Sequence, residues 1–346
     1  MARVAIDLLG GDAGPGVVAD AVAALLDEPS AVEALVLVGP SDVCRDLLLE
    51  RGVDVDSRVA LEIAPAGCCV PMAATSHETM SLIHERSDVT SVVGINVIRE
   101  GRADAFVSIG HTGATVAASV LGLGRVPGMG RPGLAVELPS LGGPVVLVDC
   151  GAAPHATRHD LVRFAAVGRV YAQTLGVSKP RIGLLSIGGE RGKGDHLRKH
   201  ADQLLAEAFP DDYCGPVEGH DLVGECNADV VVVDGFTGNV ALKSMEGALR
   251  WSVMAMARAY GSVGPAQEVL RTSHFLSGGA LLGLAGSVIV GHGASSSEEV
   301  MACIHRAAAL HHHDVIQRVH DALAGFEPLD TRGEPVELEP VDGQPG

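Results

Sequence analysis

Aromatic residues are scarce in this chain. Trp, Tyr and Phe make up 3% of its 346 residues, so the core must be built mainly from Ala, Val, Leu and Ile. That favours helices packed closely on a sheet over a β-sandwich with aromatic corners. Positive charge is also short. Lys and Arg number 25 against 43 Asp and Glu, a formal net charge of −18. Such a chain lacks the basic face that broad nucleic-acid binding needs, and it lacks a simple electrostatic grip on anionic lipid. A local basic pocket for an anionic substrate stays compatible with that balance.

Other absences narrow the field further. No apolar run reaches the roughly 18 residues of a membrane span. No CxxC pair occurs among the seven cysteines (Cys44, Cys68, Cys69, Cys150, Cys214, Cys226 and Cys303). The opening Met1-Ala2-Arg3-Val4-Ala5-Ile6-Asp7 reads as a strand rather than a secretory leader, so reduced thiols and a cytoplasmic location are expected. No Walker A pattern occurs, and Gly10-Gly11-Asp12-Ala13-Gly14 does not fit G-x-G-x-x-G, which leaves nucleotide binding unsupported. No spaced His/Cys cluster marks a metal site. The consecutive His311-His312-His313 cannot face one another on a helix and reads as a solvated run. No metal and no other cofactor is expected.

What is present is a rhythm of short apolar runs and longer Ala-rich stretches. With 47% hydrophobic and 20% charged residues, the chain can bury a sizeable core. Val4–Ile6, Leu35–Val38, Ala103–Ser108, Val145–Val148, Ile182–Ile187 and Val230–Val233 read as strands. Val17–Leu26 and the stretch leading to Arg51 read as helices. Continuous apolar strands separated by helices predict a parallel sheet covered on both faces, with ligands beyond the carboxyl ends of the strands. A single α/β catalytic domain is expected over 1–327, followed by a loose acidic tail over 328–346, rich in Pro, Glu, Asp and Gly.

Six strand ends share one chemistry. They are Asp7–Asp12, Ser108–Gly113, Asp149–Ala152, Ser186–Gly194, Asp234–Asn239 and Gly291–Ser296. Glycine lets backbone N–H groups approach a ligand, Ser, Thr and Asn add neutral donors, and the start of a following helix favours an anion. One such turn is ordinarily just a tight turn. Six in an acidic chain, two of them with a nearby Lys (Lys193 and Lys243), point to a shared phosphate-like site.

At these residues the chain resembles the bacterial phosphate acyltransferase (PlsX) family. Asp7, Gly10, Gly11, Asp12 and Pro15 match its opening turn, and Ser108, Gly110, Thr112, Gly113 and Ala114 match a second segment. Ile187, Gly188, Glu190, Lys193 and Gly194 match a third, and Asp234 through Lys243 match the Asp-Gly-Phe-Thr-Gly-Asn-x-x-Leu-Lys stretch in full. Gly278–Gly283 and His292-Gly293 close the set, in the right order over residues 3–326. Departures run toward less positive charge. His111 and Ser186 stand where Asn is expected, Ala153 where Asn is lost, Val290 where a Lys is usual, and His84–Thr90 where a basic run is usual.

The resemblance implies a three-layer α/β sandwich with a mostly parallel, Rossmann-like sheet of the isocitrate/isopropylmalate dehydrogenase kind. It implies acyl transfer from acyl-carrier-protein thioester to inorganic phosphate, giving acyl phosphate for phospholipid synthesis. A related phosphate-dependent transfer from another protein-bound thioester, or a non-catalytic acyl-carrier-binding paralogue, are the alternatives. It implies a homodimer and a helical hairpin near 246–277, shortened here, whose Trp251, Val253, Met254 and Met256 could give at most a weak peripheral membrane contact.

On the matched positions the resemblance places catalysis on Lys243, His292, Asn239 and Lys193. It places substrate contact on Asp7, Gly10, Gly11, Asp12, Ser108, Gly110, His111, Thr112, Gly113, Asp234, Gly235, Thr237 and Gly238. Chemically, the site must hold a phosphate dianion against a thioester carbon and stabilise the oxyanion. Positioning and backbone donors can do both, and a thiolate leaves without a strong acid. Thr237, Gly238 and Asn239 would be neutral donors, with Asp234 bracing their turn. Plainer readings stand beside these: Lys243 as a solvated helix lysine, Lys193 as part of a loose Gly-Lys-Gly loop, His292 as a cap, and Cys150 as a buried thiol rather than a nucleophile.

Overall fold

The structure, a computed structural model, describes residues 1–27, 31–57, 60–261 and 278–326. Its strands, in chain order, are β1 (Ala2–Asp7), β2 (Val32–Gly39), β3 (Leu61–Pro65), β4 (Ala105–Ser108), β5 (Gly133–Leu138), β6 (Val145–Val148), β7 (Ile182–Ser186), β8 (Tyr213–Glu218), β9 (Val230–Val232), β10 (Gly279–Leu282) and β11 (Ser287–Val290). The helices are α1 (Gly16–Asp27), α2 (Ser41–Leu49), α3 (Ser76–Glu85), α4 (Thr90–Arg99), α5 (Thr112–Gly122), α6 (Arg158–Thr174), α7 (His196–Ala208), α8 (Gly235–Tyr260), α9 (Ser297–His312) and α10 (Val315–Leu323).

All these strands join one sheet in the order β3-β2-β1-β4-β11-β10-β5-β6-β9-β7-β8. The sheet is two parallel wings joined by an antiparallel centre. β3, β2, β1, β4 and β11 run together, as do β6, β9, β7 and β8. Between them β10 and β5 reverse direction through three antiparallel pairings. The expectation of a mostly parallel α/β sheet therefore holds. The antiparallel middle departs from the sequence expectation: β10 and β11 are only four residues long, too short for a strand pattern to stand out.

Side chains alternate across the sheet and feed two cores. Val4 and Ile6 of β1 belong to the core on the face that also gathers α1, α2, α6, α7, α9 and α10. Ala5 of the same strand, with Val136 of β5 and Val290 of β11, packs with α3, α4, α5 and α8 on the other face. Leucine, valine and alanine fill both layers, as the scarcity of aromatics requires. Helices start where short polar residues follow a strand or loop. Thr75 with Glu78, Thr157 with Asp160, and Ser296 with Glu299 form capping boxes before α3, α6 and α9.

Residues 246–260 continue α8 without interruption. The rest of the expected hairpin, 262–277, and the expected tail, 328–346, lie outside the described residues. The expected apolar patch needs one correction. Trp251, Met254 and Met256 are exposed, but Val253 is 1% exposed and belongs to the inward face of α8.

Candidate active site

Two strand-end turns support the first helix mouth. Asp7, buried at the end of β1, accepts hydrogen bonds from the Leu9 N–H and the Ser108 hydroxyl, each at 3.0 Å. Ser108 Oγ in turn accepts from the Gly110 N–H at 3.2 Å. The β1 turn lies flush against its neighbour: a Cβ on Gly10 would stand 2.5 Å from Gly110 Cα. The Asp12 N–H donates to the Gly293 carbonyl at 2.7 Å. Asp7, Gly10, Gly11 and Asp12 thus buttress the turns behind the site. Burial holds the Asp7 carboxyl above its usual range, against the pull of these donors.

His111 caps α5. Its Nδ1 accepts from the Ala114 N–H at 3.1 Å, and its Nε2 faces the Ala74 carbonyl at 3.3 Å. Both ring nitrogens are engaged by backbone, in the tautomer with the proton on Nε2. The next residues, Thr112 and Gly113, begin the helix, and the N–H groups of a first turn have no intrahelical carbonyl to bind.

The second helix mouth is α8. Its N-cap, Asp234, accepts from the Thr237 N–H at 3.0 Å and from the Thr237 hydroxyl. Arg198, itself buried, pairs with Asp234 and donates to Thr237 Oγ1 at 3.0 Å. Burial works to raise the Asp234 pKa, but the Thr237 bonds and the guanidinium outweigh it and hold the carboxyl below its usual range. The Thr237 hydroxyl, expected as a phosphate donor, donates to Asp234 and accepts from Arg198 in this network. The glycines of the turn serve close approach. A Cβ on Gly235 would meet Ala153 O at 2.5 Å, and one on Gly238 would meet Asp149 O at 1.9 Å.

Asp149 is the hub of that contact. Its carboxylate accepts four backbone N–H bonds, from Leu134, Gly151, Ala152 and Ala153, at 2.7–2.9 Å. Burial pushes its pKa up to about 6, with the four donors pulling the other way. Cys150 beside it is buried, and burial raises its thiol well above the ordinary range, so it is no thiolate nucleophile.

A cavity of about 260 Å³ opens where these turns meet over the antiparallel centre of the sheet. Leu134, Val136, Leu242 and Val290 give it an apolar wall, while Thr112, Asn239, Lys243, Glu246 and His292 are its polar lining. Lys243 Nζ lies 3.1 and 3.0 Å from the two carboxylate oxygens of Glu246, one turn further along α8. Glu246 is 6% exposed, and its Oε2 lies 4.0 Å from His292 Nε2. His292 Nδ1 accepts from the Ala294 N–H at 3.1 Å, which leaves the ring proton on Nε2, toward Glu246. Burial first, then the charge of Lys243, lowers the His292 pKa below its ordinary value, with Glu246 opposing.

The structure therefore gathers Thr112, Gly113, Asn239, Lys243 and His292 around one cavity, with Gly110, Gly235 and Gly238 shaping the turns behind it. It leaves Lys193 out. That side chain is 56% exposed, 4.0 Å from Glu190, and does not line the cavity. Glu246 is the lining residue that sequence reasoning passed over. The available signal was a carboxylate three residues after Lys243 on the apolar face Leu242–Glu246–Val253 of α8. Among the described residues, no group of three or more His, Cys, Asp or Glu side chains could hold a metal ion.

Comparison with known proteins agrees with this architecture. The family described as fatty acid synthesis protein matches residues 2–318. A phosphate acyltransferase of Thermus thermophilus is 38% identical, over 94% of this chain and 99% of its own. One from Pseudothermotoga lettingae is 37% identical over 85% of this chain and 88% of its own. In fold, the chain resembles a phosphotransacetylase from Streptococcus pyogenes, with a TM-score of 0.62 at 18% identity over 90% of this chain and 94% of the other. A 4-hydroxythreonine-4-phosphate dehydrogenase from Klebsiella pneumoniae gives 0.51 at 12% identity over 90% and 98%. By its match to the family along most of its length and by these relatives, the chain belongs to the bacterial phosphate acyltransferase family and is an acyltransferase acting with phosphate.

Proposed function

We propose that the enzyme moves an acyl group from an acyl-carrier-protein thioester to inorganic phosphate, releasing acyl phosphate for phospholipid synthesis. The observation that carries this reading is the composition of the cavity: one cation, one imidazole N–H and a helix start face an apolar wall. A phosphate dianion suits the side made by Lys243 and the first turn of α5, since free N–H groups and the helix dipole favour an anion there. The thioester end of an acyl chain suits the side made by Leu134, Val136 and Val290. His292, with its proton on Nε2, suits the developing oxyanion. Asn239 adds a neutral amide at the rim.

In this reading Lys193 serves the loop rather than the reaction, and the enzyme works as a homodimer in the cytoplasm. No helix among the described residues is long and apolar enough to cross a membrane. The test is direct. Acyl-carrier protein loaded with a long-chain acyl group is incubated with enzyme and phosphate, and acyl phosphate is trapped with hydroxylamine. Phosphate-dependent loss of thioester, with no need for nucleotide, is the expected result. A requirement for ATP, or thioester loss that ignores phosphate, would overturn the reading.

A further inference from the structure

We propose that Glu246 is the proton carrier of the transfer step, paired with Lys243 until phosphate arrives. The proposal rests on the reading of the cavity given above and assigns a lining carboxylate that reading leaves idle. The reaction needs such a carrier. Hydrogen phosphate dianion carries one proton, the acyl phosphate dianion carries none, and the departing thiolate must gain one. The bond formed joins a phosphate oxygen to the acyl carbon, and the bond broken joins that carbon to sulfur. The proton must cross from phosphate to sulfur while this happens.

The other candidates near the cavity are committed. Asp149 is filled by four backbone N–H donors, Asp7 by Leu9 and Ser108, and Asp234 by Thr237 and Arg198. His292 cannot accept a proton at Nε2, because the Ala294 N–H occupies Nδ1 and fixes the Nε2-protonated tautomer. It can donate a hydrogen bond and no more. Cys150 holds its proton. Glu246 differs from all of these, because its hydrogen-bond partner among the described residues is the ammonium of a side chain that is half exposed and able to swing.

The sequence of events follows from charge. Phosphate entering the cavity draws Lys243 away from Glu246. A carboxylate that is 6% exposed then faces a dianion without its counter-ion, a costly arrangement. As a phosphate oxygen bonds to the acyl carbon its proton passes to Glu246, which relieves this repulsion and avoids a free phosphate trianion. After the tetrahedral intermediate collapses, Glu246 gives that proton to the leaving sulfur and pairs with Lys243 again.

Glu246→Gln keeps the shape and removes the proton acceptor. General acid–base groups contribute about 10²–10⁴-fold, so kcat should fall by on the order of 10²-fold or more. Phosphate binding, measured by calorimetry without thioester, should be as tight as in the wild type or tighter, since Lys243 is released. In Glu246→Ala, added formate should restore part of the rate, which a purely structural role would not allow. A Glu246→Gln rate within about threefold of wild type, no rescue by formate, or weakened phosphate binding in folded variants each overturns the proposal. Wild-type enzyme that forms no acyl phosphate overturns the reading of the site instead, and the phosphate-affinity arm still judges the Lys243–Glu246 exchange. Should Glu246→Ala prove unfolded by circular dichroism, Glu246→Gln and its binding curve decide alone.

Discussion

Gly238 of α8 and the carbonyl of Asp149 are in such close contact that any side chain at 238 would place its Cβ 1.9 Å from that oxygen. This single approach locks the start of α8 onto the end of β6, and with it sets Asn239 and Lys243 against Gly151 and the cavity wall. Gly238→Ala is therefore expected to move the helix start or to unfold it locally. The cost should be about 1–3 kcal/mol, as for overpacked cores. A melting temperature and phosphate affinity both unchanged in Gly238→Ala would show that the contact is looser than the geometry states.

The Asp234–Arg198–Thr237 network predicts a stability effect with a defined sign. Asp234 titrates below its ordinary 3.8 in the folded protein. Its contribution is thus present above the unfolded value and is lost as pH falls through the folded one. Asp234→Asn should destabilise the protein by about 1–3 kcal/mol at neutral pH, because a largely buried guanidinium loses one of its two carboxylate partners and keeps only Asp195, 2.9 Å from Nη1. The difference from wild type should shrink below pH 4. Urea unfolding of both proteins at pH 7 and near pH 3 measures it, and an equal gap at both would contradict the assignment.

Lys243→Ala should raise the phosphate requirement while leaving the fold intact, since the side chain is half exposed and packs in no core. Saturation curves in phosphate, run beside circular dichroism, distinguish this from a surface lysine of no consequence. Wild-type phosphate dependence in the folded variant is the contrary result.

The imidazole of His292 is held below its ordinary 6.5 first by burial and then by Lys243, so the neutral ring survives to lower pH than in a free histidine. A proton titration of His292 by NMR should give a value under 6.5, and Lys243→Ala should move it upward. In stability terms a lowered folded value means that stability falls as pH drops through 6.5. An unchanged or lower value in Lys243→Ala would show that the charge of Lys243 is not what holds the ring neutral.

On anionic vesicles at low salt the enzyme should sediment weakly. One exposed patch of Trp251, Met254 and Met256 on a chain of net charge −18 offers an apolar signal without a basic one. Sedimentation should fall when these three are replaced by Ser or Gln. Strong pelleting that survives the replacement would place lipid contact elsewhere.

The fold class, a mostly parallel α/β sheet, and the position of the glycine-rich turns are legible in the sequence. Val4–Ile6 and Val230–Val233 read as buried strands, and Asp-Gly-Phe-Thr-Gly-Asn reads as a tight turn into a helix. These are local facts of pattern and backbone freedom. The tertiary structure alone decided which turns meet. The two wings run in opposite directions, and it is the antiparallel strands β10 and β5 between them that bring Thr112 and His292 of one wing to Asn239 and Lys243 of the other. It also decided what the polar residues do. His111 and Ser296 read as ligand donors because a helix cap and an anion site use the same residue types, and only their partners show them to be caps. Glu246 stayed hidden for the converse reason. A glutamate on a helix is ordinarily solvated, and nothing local to it shows that burial beside Lys243 and His292 turns it into the cavity's only carboxylate among the described lining residues.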